Sequence, residues 1–182
     1  MRIIGGKYGG RVIRVPQGLP VRPTTDRTKE ALFNILGQRM TWEGARVLDL
    51  FAGTGNITLE CYSRGAAGVV SVDRHPRCVE AIRGALQALD LPVSGLVRAD
   101  VLRYVQTATG TYDLIFMDPP YDLPGQPALI ATLLQRGLLA PGGWLVAEHS
   151  PVLRFETLPG WVFGRQYGSS ALSFFSMPDA AT

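Results

Sequence analysis

Cysteine and histidine are scarce in this chain, two of each among 182 residues. Cys61 and Cys78 are too few and too far apart for a disulfide framework or a zinc site, so reduced cytoplasmic thiols and no metal are expected. His75 and His149 leave little for a histidine-based centre, and both read as loop residues. Long apolar runs are missing too. Nothing approaches the roughly 20 residues that span a bilayer, so no membrane partner is expected. The start, Met1-Arg2-Ile3-Ile4-Gly5-Gly6-Lys7, lacks an h-region and does not read as a secretory signal. Charged residues make up only 18% and hydrophobic ones 46%, which excludes a disordered chain and suits one domain with a substantial core.

What is present is unevenly charged. The net charge of +3 divides into eight basic and two acidic residues in 1–39, against ten basic and thirteen acidic in the remainder. A basic arm on a slightly acidic body is the pattern expected where one end meets a polyanion. Arg2, Lys7, Arg11 and Arg14 are its candidate contacts. Ile3-Ile4 and Val12-Ile13 read as strands of a short β-ribbon, with Gly5-Gly6 and Gly9-Gly10 as turns or close approaches. Pro16 to Pro23 reads as a linker. Thr24-Thr25-Asp26 then offers N-caps for a helix ending near Gly37, with Ala31, Leu32, Ile35 and Leu36 as its apolar stripe and Lys29 away from it. Residues 1–40 are thus expected to form a polyanion-facing extension on a domain spanning 41–182.

From Gly44 onward strand, turn and helix alternate. Strands are expected at Arg46–Phe51, Gly68–Val72, Val93–Ala99, Asp113–Met117, Trp144–Glu148, Trp161–Tyr167 and Ala171–Phe175. Helices are expected from Gly53 to Ser63, Pro76 to Leu89 and Pro127 to Arg136. This rhythm predicts a doubly wound α/β fold, a mostly parallel Rossmann-like sheet of seven strands. The last two strands, joined by Gly168-Ser169-Ser170, read as a hairpin that puts one antiparallel strand at the sheet's end.

Two stretches carry chemistry. Asp118-Pro119-Pro120-Tyr121 follows the apolar run Tyr112–Met117, so a strand that stops at Pro-Pro delivers these residues to the sheet edge where α/β ligands bind. An exocyclic base amine is a poor nucleophile because its lone pair is delocalised into the ring. A carboxylate and a backbone carbonyl accepting both N–H groups favour a more pyramidal, more nucleophilic nitrogen, and Tyr121 supplies a ring for stacking. Asp118, Pro119, Pro120 and Tyr121 are therefore the candidate catalytic loop. Neither cysteine is beside it, which disfavours a covalent pyrimidine mechanism.

The second stretch is Asp49-Leu50-Phe51-Ala52-Gly53-Thr54-Gly55. Gly53 and Gly55 between strand and helix let backbone approach a ligand closely. A dinucleotide fingerprint would place a third glycine where Thr58 stands. Asp49 would repel a pyrophosphate and favour a ligand carrying a cationic amino acid portion, as S-adenosylmethionine does. Asp73 ends the second strand, where ribose hydroxyls would meet it, and Asp100 ends the third, with Val101 to cover an adenine. Singly, each acidic residue is as good a helix cap as a ligand contact. Together they make S-adenosylmethionine the expected cofactor, with Asp49, Phe51, Ala52, Gly53, Gly55, Asp73, Asp100 and Val101 around it.

With these residues in place the chain resembles class I S-adenosylmethionine-dependent methyltransferases of the amino-group type. More narrowly, it is similar to the bacterial small-subunit ribosomal RNA guanine-N2 methyltransferases, the RsmD family. The narrower match is carried by Arg2-Ile3-Ile4-Gly5-Gly6 and by Arg22-Pro23-Thr24-Thr25-Asp26-Arg27 with Glu30 and Phe33-Asn34, and the core match by Leu48–Gly55, Asp118–Tyr121 and Tyr167-Gly168. The resemblance implies methylation of a guanine N2 amine in 16S rRNA within an assembling small subunit. It also implies that Arg22, Thr25 and Arg27 lie between the cofactor pocket and the RNA. Nothing in Asp118–Tyr121 separates guanine from adenine, so adenine-N6 methylation of DNA or RNA is the alternative. A non-catalytic assembly factor would be expected to have lost the glycine pair or the tetrapeptide, and both are intact.

Overall fold

Buried strands here are runs of β-branched and aliphatic residues, and the glycine- or proline-marked stretches between them release the chain to the next layer. The computed structural model describes residues 1–19 and 25–177. In chain order the elements are α1 (Asp26–Gly37), β1 (Arg46–Leu50), α2 (Asn56–Arg64), β2 (Gly68–Asp73), α3 (Pro76–Gln87) and β3 (Leu96–Arg98). There follow α4 (Val101–Thr107), β4 (Tyr112–Met117), α5 (Gln126–Gln135), β5 (Leu139–His149), β6 (Trp161–Tyr167) and β7 (Ser170–Ser176). They form one seven-stranded sheet of order β3-β2-β1-β4-β5-β7-β6. β1 runs parallel to both β2 and β4, so the strand order reverses there, the place where open α/β sheets bind ligands.

The antiparallel strand is β7, and it is not the outermost. It is hydrogen-bonded between β5 and β6. Composition explains the order. Leu172, Phe174 and Phe175 of β7 are buried, whereas β6 is mostly half-buried or exposed and suits an edge. The helix α4 was not expected from the sequence; seven residues are too few to display a helical period. β3 is correspondingly shorter than Val93–Ala99.

Two apolar layers sandwich the sheet. Leu32, Phe33 and Leu36 of α1, Ile57 and Leu59 of α2, and Ile82 of α3 pack on one face with Val47, Leu114, Phe116 and Val146. Val101 and Val105 of α4 and Leu129, Ile130 and Leu133 of α5 pack on the other with Leu48, Ile115 and Met117. Each such side chain contributes about 1.5–3 kcal/mol when fully buried.

The N-terminal ribbon belongs to the first layer. Arg2 and Val12 form an isolated antiparallel bridge, and Ile3, 1% exposed, joins the core of α1 and α2. The amides of Ile4 and Gly5 donate to the Glu60 carboxylate at 2.9 and 2.8 Å, and Lys7 N donates to the Ser63 carbonyl at 2.6 Å. Gly6 sits at φ +75°, and a Cβ there would lie 1.9 Å from the Ser63 oxygen, so only glycine lets the ribbon lie this close to α2.

Two expectations are corrected. Lys29 does not point away from the apolar stripe of α1. It is 0% exposed, because Glu60, Asn56 and the Arg2 carbonyl meet its ammonium inside the layer. His149 is not a loop residue either. It ends β5, buried, with Nε2 2.8 Å from Ser173 Oγ and Nδ1 2.8 Å from the Ser150 carbonyl. His75 caps α3, its Nδ1 accepting from Arg77 N.

Candidate active site

The carboxyl ends of β1, β2, β4 and β5, with the first residues of α4, open onto one cleft of about 750 Å³. That volume suits a cofactor-sized ligand. Asp49, Phe51, Ala52, Gly53, Asp73, Asp100, Val101 and Asp118–Tyr121 all line it. Thr25 lines it as well, while also capping α1 by accepting from Thr28 N. Residues expected for cofactor and for catalysis therefore share one cavity.

Local backbone explains the cofactor side. Phe51 adopts φ +61°, a conformation costly for a residue with a side chain, and Gly53 and Gly55 follow at +56° and +78°. The turn brings Ala52 N back to the Val72 carbonyl at 3.0 Å and Gly53 N to Asp73 Oδ2 at 2.9 Å. Gly55 does not line the cleft. A Cβ there would come within 3.0 Å of Ile82, so this glycine serves the approach of α2 to α3. Asp73 binds His75 N with its other oxygen at 2.8 Å, joining the glycine turn to the start of α3. Asp100 caps α4, accepting from Arg103 N at 3.1 Å, and faces the cleft at the same time.

Asp49 is 1% exposed, and burial pushes its carboxyl up to about 7 against a donated hydrogen bond from Thr58. Thr58 Oγ1 donates to Asp49 Oδ2 at 2.6 Å and accepts from Ser71 Oγ at 2.7 Å. Thr58 thus orients the carboxylate, a role that its reading as a missing glycine had hidden. A cation placed beside a buried carboxylate this reluctant to ionise would repay its desolvation. The donor set fits a ligand with an ammonium near Asp49 and hydroxyls near Asp73.

On the catalytic side, Asp118 N stays in the ladder with the Leu50 carbonyl at 3.4 Å. The Pro120 carbonyl is taken by Leu123 N at 2.9 Å and Gln126 Nε2 at 3.4 Å, which folds the loop back toward α5. Tyr121 remains 37% exposed at the rim, its hydroxyl 3.4 Å from the Ser169 carbonyl. Sequence reading did not assign Glu148, Tyr167, Ser169 or Ser170 to this wall. Glu148, Ser169 and Ser170 carried no signal beyond their position at the ends of β5 and the hairpin, and Tyr167 stood out only through the family resemblance. Cys78, far from the tetrapeptide in sequence, also lines the cleft, but burial pushes its thiol up to about 11, which leaves it a poor nucleophile.

The basic residues divide. Arg2, Lys7, Arg11 and Arg14 are exposed on the ribbon, with Lys7 and Arg11 each over the Tyr8 ring at 5.2 and 5.3 Å. Arg27 is exposed on α1 outside the cleft lining, and Arg22 lies outside the described residues. Among the described residues no three His, Cys, Asp or Glu gather into a metal-ligating group, and no helix is long and apolar enough to cross a membrane.

Comparison with known proteins agrees with this architecture. Residues 1–176 match the family model described as Conserved hypothetical protein 95. Ribosomal RNA small subunit methyltransferase D of Escherichia coli K12 is 32% identical over 148 residues, covering 81% of this chain and 71% of its own. A hypothetical protein of Thermus thermophilus superposes with a TM-score of 0.84 at 32% identity, covering 97% of this chain and 99% of that one. The 16S rRNA N2 methyltransferase RsmC of T. thermophilus, solved with AdoMet and guanosine, gives 0.71 at 26% identity over 97% of this chain and 49% of its own.

Proposed function

The chain belongs to the RsmD family, and from that membership we propose that it methylates the N2 amine of one guanine in 16S rRNA of the small ribosomal subunit. It is an S-adenosylmethionine-dependent methyltransferase that acts on small-subunit ribosomal RNA. The observation that carries the amine-methylation reading is a single cleft joining buried Asp49 to the loop Asp118–Tyr121, while the choice of guanine rests on the family membership. The solved RsmC neighbour, with guanosine bound, supports the choice of base.

The bound cofactor supplies an electrophilic methyl on a sulfonium. Asp49, ionised, receives the ammonium of its amino acid portion. Lone pairs of Asp73 not used by Gly53 and His75 would accept from ribose hydroxyls, and Val101 and Leu102 would cover the adenine. The guanine leaves its RNA context at an unstacking cost of a few kcal/mol. Stacking on Tyr121 returns about 1–3 kcal/mol. Asp118 and the Pro119 carbonyl accept the two amine hydrogens and hold the nitrogen in line with the methyl, so the rate gain is mostly positioning. With the cofactor bound, transfer would form the C–N bond as the methyl–sulfur bond breaks, leaving a neutral thioether, and the cationic methylated amine would pass one proton to Asp118 or solvent. The exposed ribbon, with Arg2, Lys7, Arg11 and Arg14, meets RNA phosphates, and Thr25 and Arg27 line the approach between them and the cleft.

Incubating the enzyme with labelled cofactor and unmethylated small subunits, followed by nucleoside analysis, tests this reading. Labelled N2-methylguanosine is expected. N6-methyladenosine as the product would overturn it.

A further inference from the structure

Glu148 lines the same cleft, and the chemistry above leaves it without a task. Its position is set by the sheet. β4 and β5 run parallel with Met117 opposite Ala147, so Asp118 and Glu148 come next on adjacent strands, about 4.8 Å apart at the backbone. Strand side chains alternate, and Phe116 and Val146 both point into the layer of α1 and α2. Asp118 and Glu148, two residues further along each strand, therefore face the same way. β7 backs Glu148 with Leu172, and Tyr121, Tyr167 and Ser170 complete the wall. Glu148 is only 6% exposed, so water cannot easily replace a partner that a ligand fails to provide.

Purine edges differ where this second carboxylate stands. Guanine carries an N–H at N1 beside its N2 amine. Adenine carries a bare lone pair at N1 beside its N6 amine. With the guanine amine on Asp118, one of the two ring nitrogens flanking it, N1 with its hydrogen or bare N3, meets the next strand, and only N1–H can donate to Glu148. We infer that Glu148 selects guanine over adenine, accepting the guanine N1–H while Asp118 holds the N2 amine. The inference rests on the guanine-N2 reading of this site. A carboxylate has about four lone-pair positions, so Glu148 takes this proton while also serving protein partners. An adenine would set its N1 lone pair against the carboxylate, an unpaired and repulsive contact in a closed wall.

The test replaces the modified guanine, once mapped in small subunits, by 2-aminopurine, which keeps the N2 amine but lacks the N1–H and O6, so the comparison with Glu148 variants isolates the N1–H. Wild-type kcat/KM is expected to fall about ten- to hundredfold on this substrate, the loss of one charge-assisted hydrogen bond. In Glu148→Ala, and in the nearly isosteric Glu148→Gln, the guanine to 2-aminopurine ratio is expected to shrink toward one. A merely structural role would lower both substrates together and leave the ratio unchanged, and that result overturns the inference. So does a wild-type enzyme that treats the two bases alike, whatever the variants do. If N2-methylguanosine forms but the ratio survives in the variants, only the role of Glu148 falls. If the product is N6-methyladenosine, the parent reading falls and this one with it.

Discussion

Lys29 Nζ lies 3.3 Å from Glu60 Oε2 with both side chains wholly buried. Glu60 is also met by Arg64 at 3.0 Å and by the amides of Ile4 and Gly5, while Lys29 reaches Asn56 Oδ1 at 2.7 Å. Asn56 opens α2 on the wall of the cleft. One ion pair therefore ties ribbon, α1 and cofactor site together.

The two partners are not equally replaceable. Glu60→Ala strands the Lys29 ammonium, which burial already disfavours, and is expected to cost about 3–5 kcal/mol. Lys29→Met leaves Glu60 with Arg64 and two amides and is expected to cost less, about 1–3 kcal/mol. Urea unfolding of both variants checks the order. Equal losses would mean that the ribbon amides and Arg64 contribute little.

If Asp49 receives the cofactor's ammonium, as proposed, cofactor binding depends on pH. The folded, ligand-free protein holds its proton up to about 7, above the ordinary 3.8, so Asp49 favours the folded state below pH 4 and that contribution is lost as pH rises toward 7. A cationic ligand needs the ionised form. Cofactor affinity measured by calorimetry is therefore expected to rise up to about tenfold per pH unit between pH 5.5 and 7, then level off. Thr58→Val removes the donor that favours the carboxylate and should move the midpoint upward. Asp49→Asn should weaken binding and abolish the slope; a slope retained in that variant would assign it to another group.

Tyr121→Ala is expected to raise KM for RNA about ten- to hundredfold, the worth of one stacked base, and Tyr121→Phe to change it little. The hydroxyl's 3.4 Å bond to Ser169 is too long and exposed to matter much. A Phe variant as poor as Ala would shift the role from ring to hydroxyl.

Replacing Arg2, Lys7, Arg11 and Arg14 with Ala should weaken RNA binding and leave cofactor affinity intact, since none of the four lines the cleft. The log–log salt dependence should become shallower by roughly 0.7–0.9 for each phosphate no longer neutralised. An unchanged slope in filter-binding titrations would place the RNA elsewhere.

Much of the site was legible because its markers are local. Glycines at positive φ and a Pro-Pro after an apolar run announce strand ends whatever the tertiary context, and Asp49, Asp73 and Asp118 follow from them. Lys29 was misread because a lysine defaults to solvent, and its partner Glu60 is 31 residues away on another helix. Glu148 closes a strand that shows no motif, so its nearness to Asp118 exists only in the register of β4 on β5. Thr58 was visible only as the glycine it replaces, since its bond to Asp49 needs the turn between them to be folded. Helix α4 escaped because Asp100 read as a strand end while it also caps the next element.

The most direct test is Asp118→Ala, with cofactor affinity and methyl transfer to small subunits measured side by side. Affinity is expected to stay within about threefold of wild type while kcat/KM falls at least about a hundredfold, because the amine loses its orienting acceptor. A variant that still methylates at the wild-type rate would contradict the role given to this carboxylate.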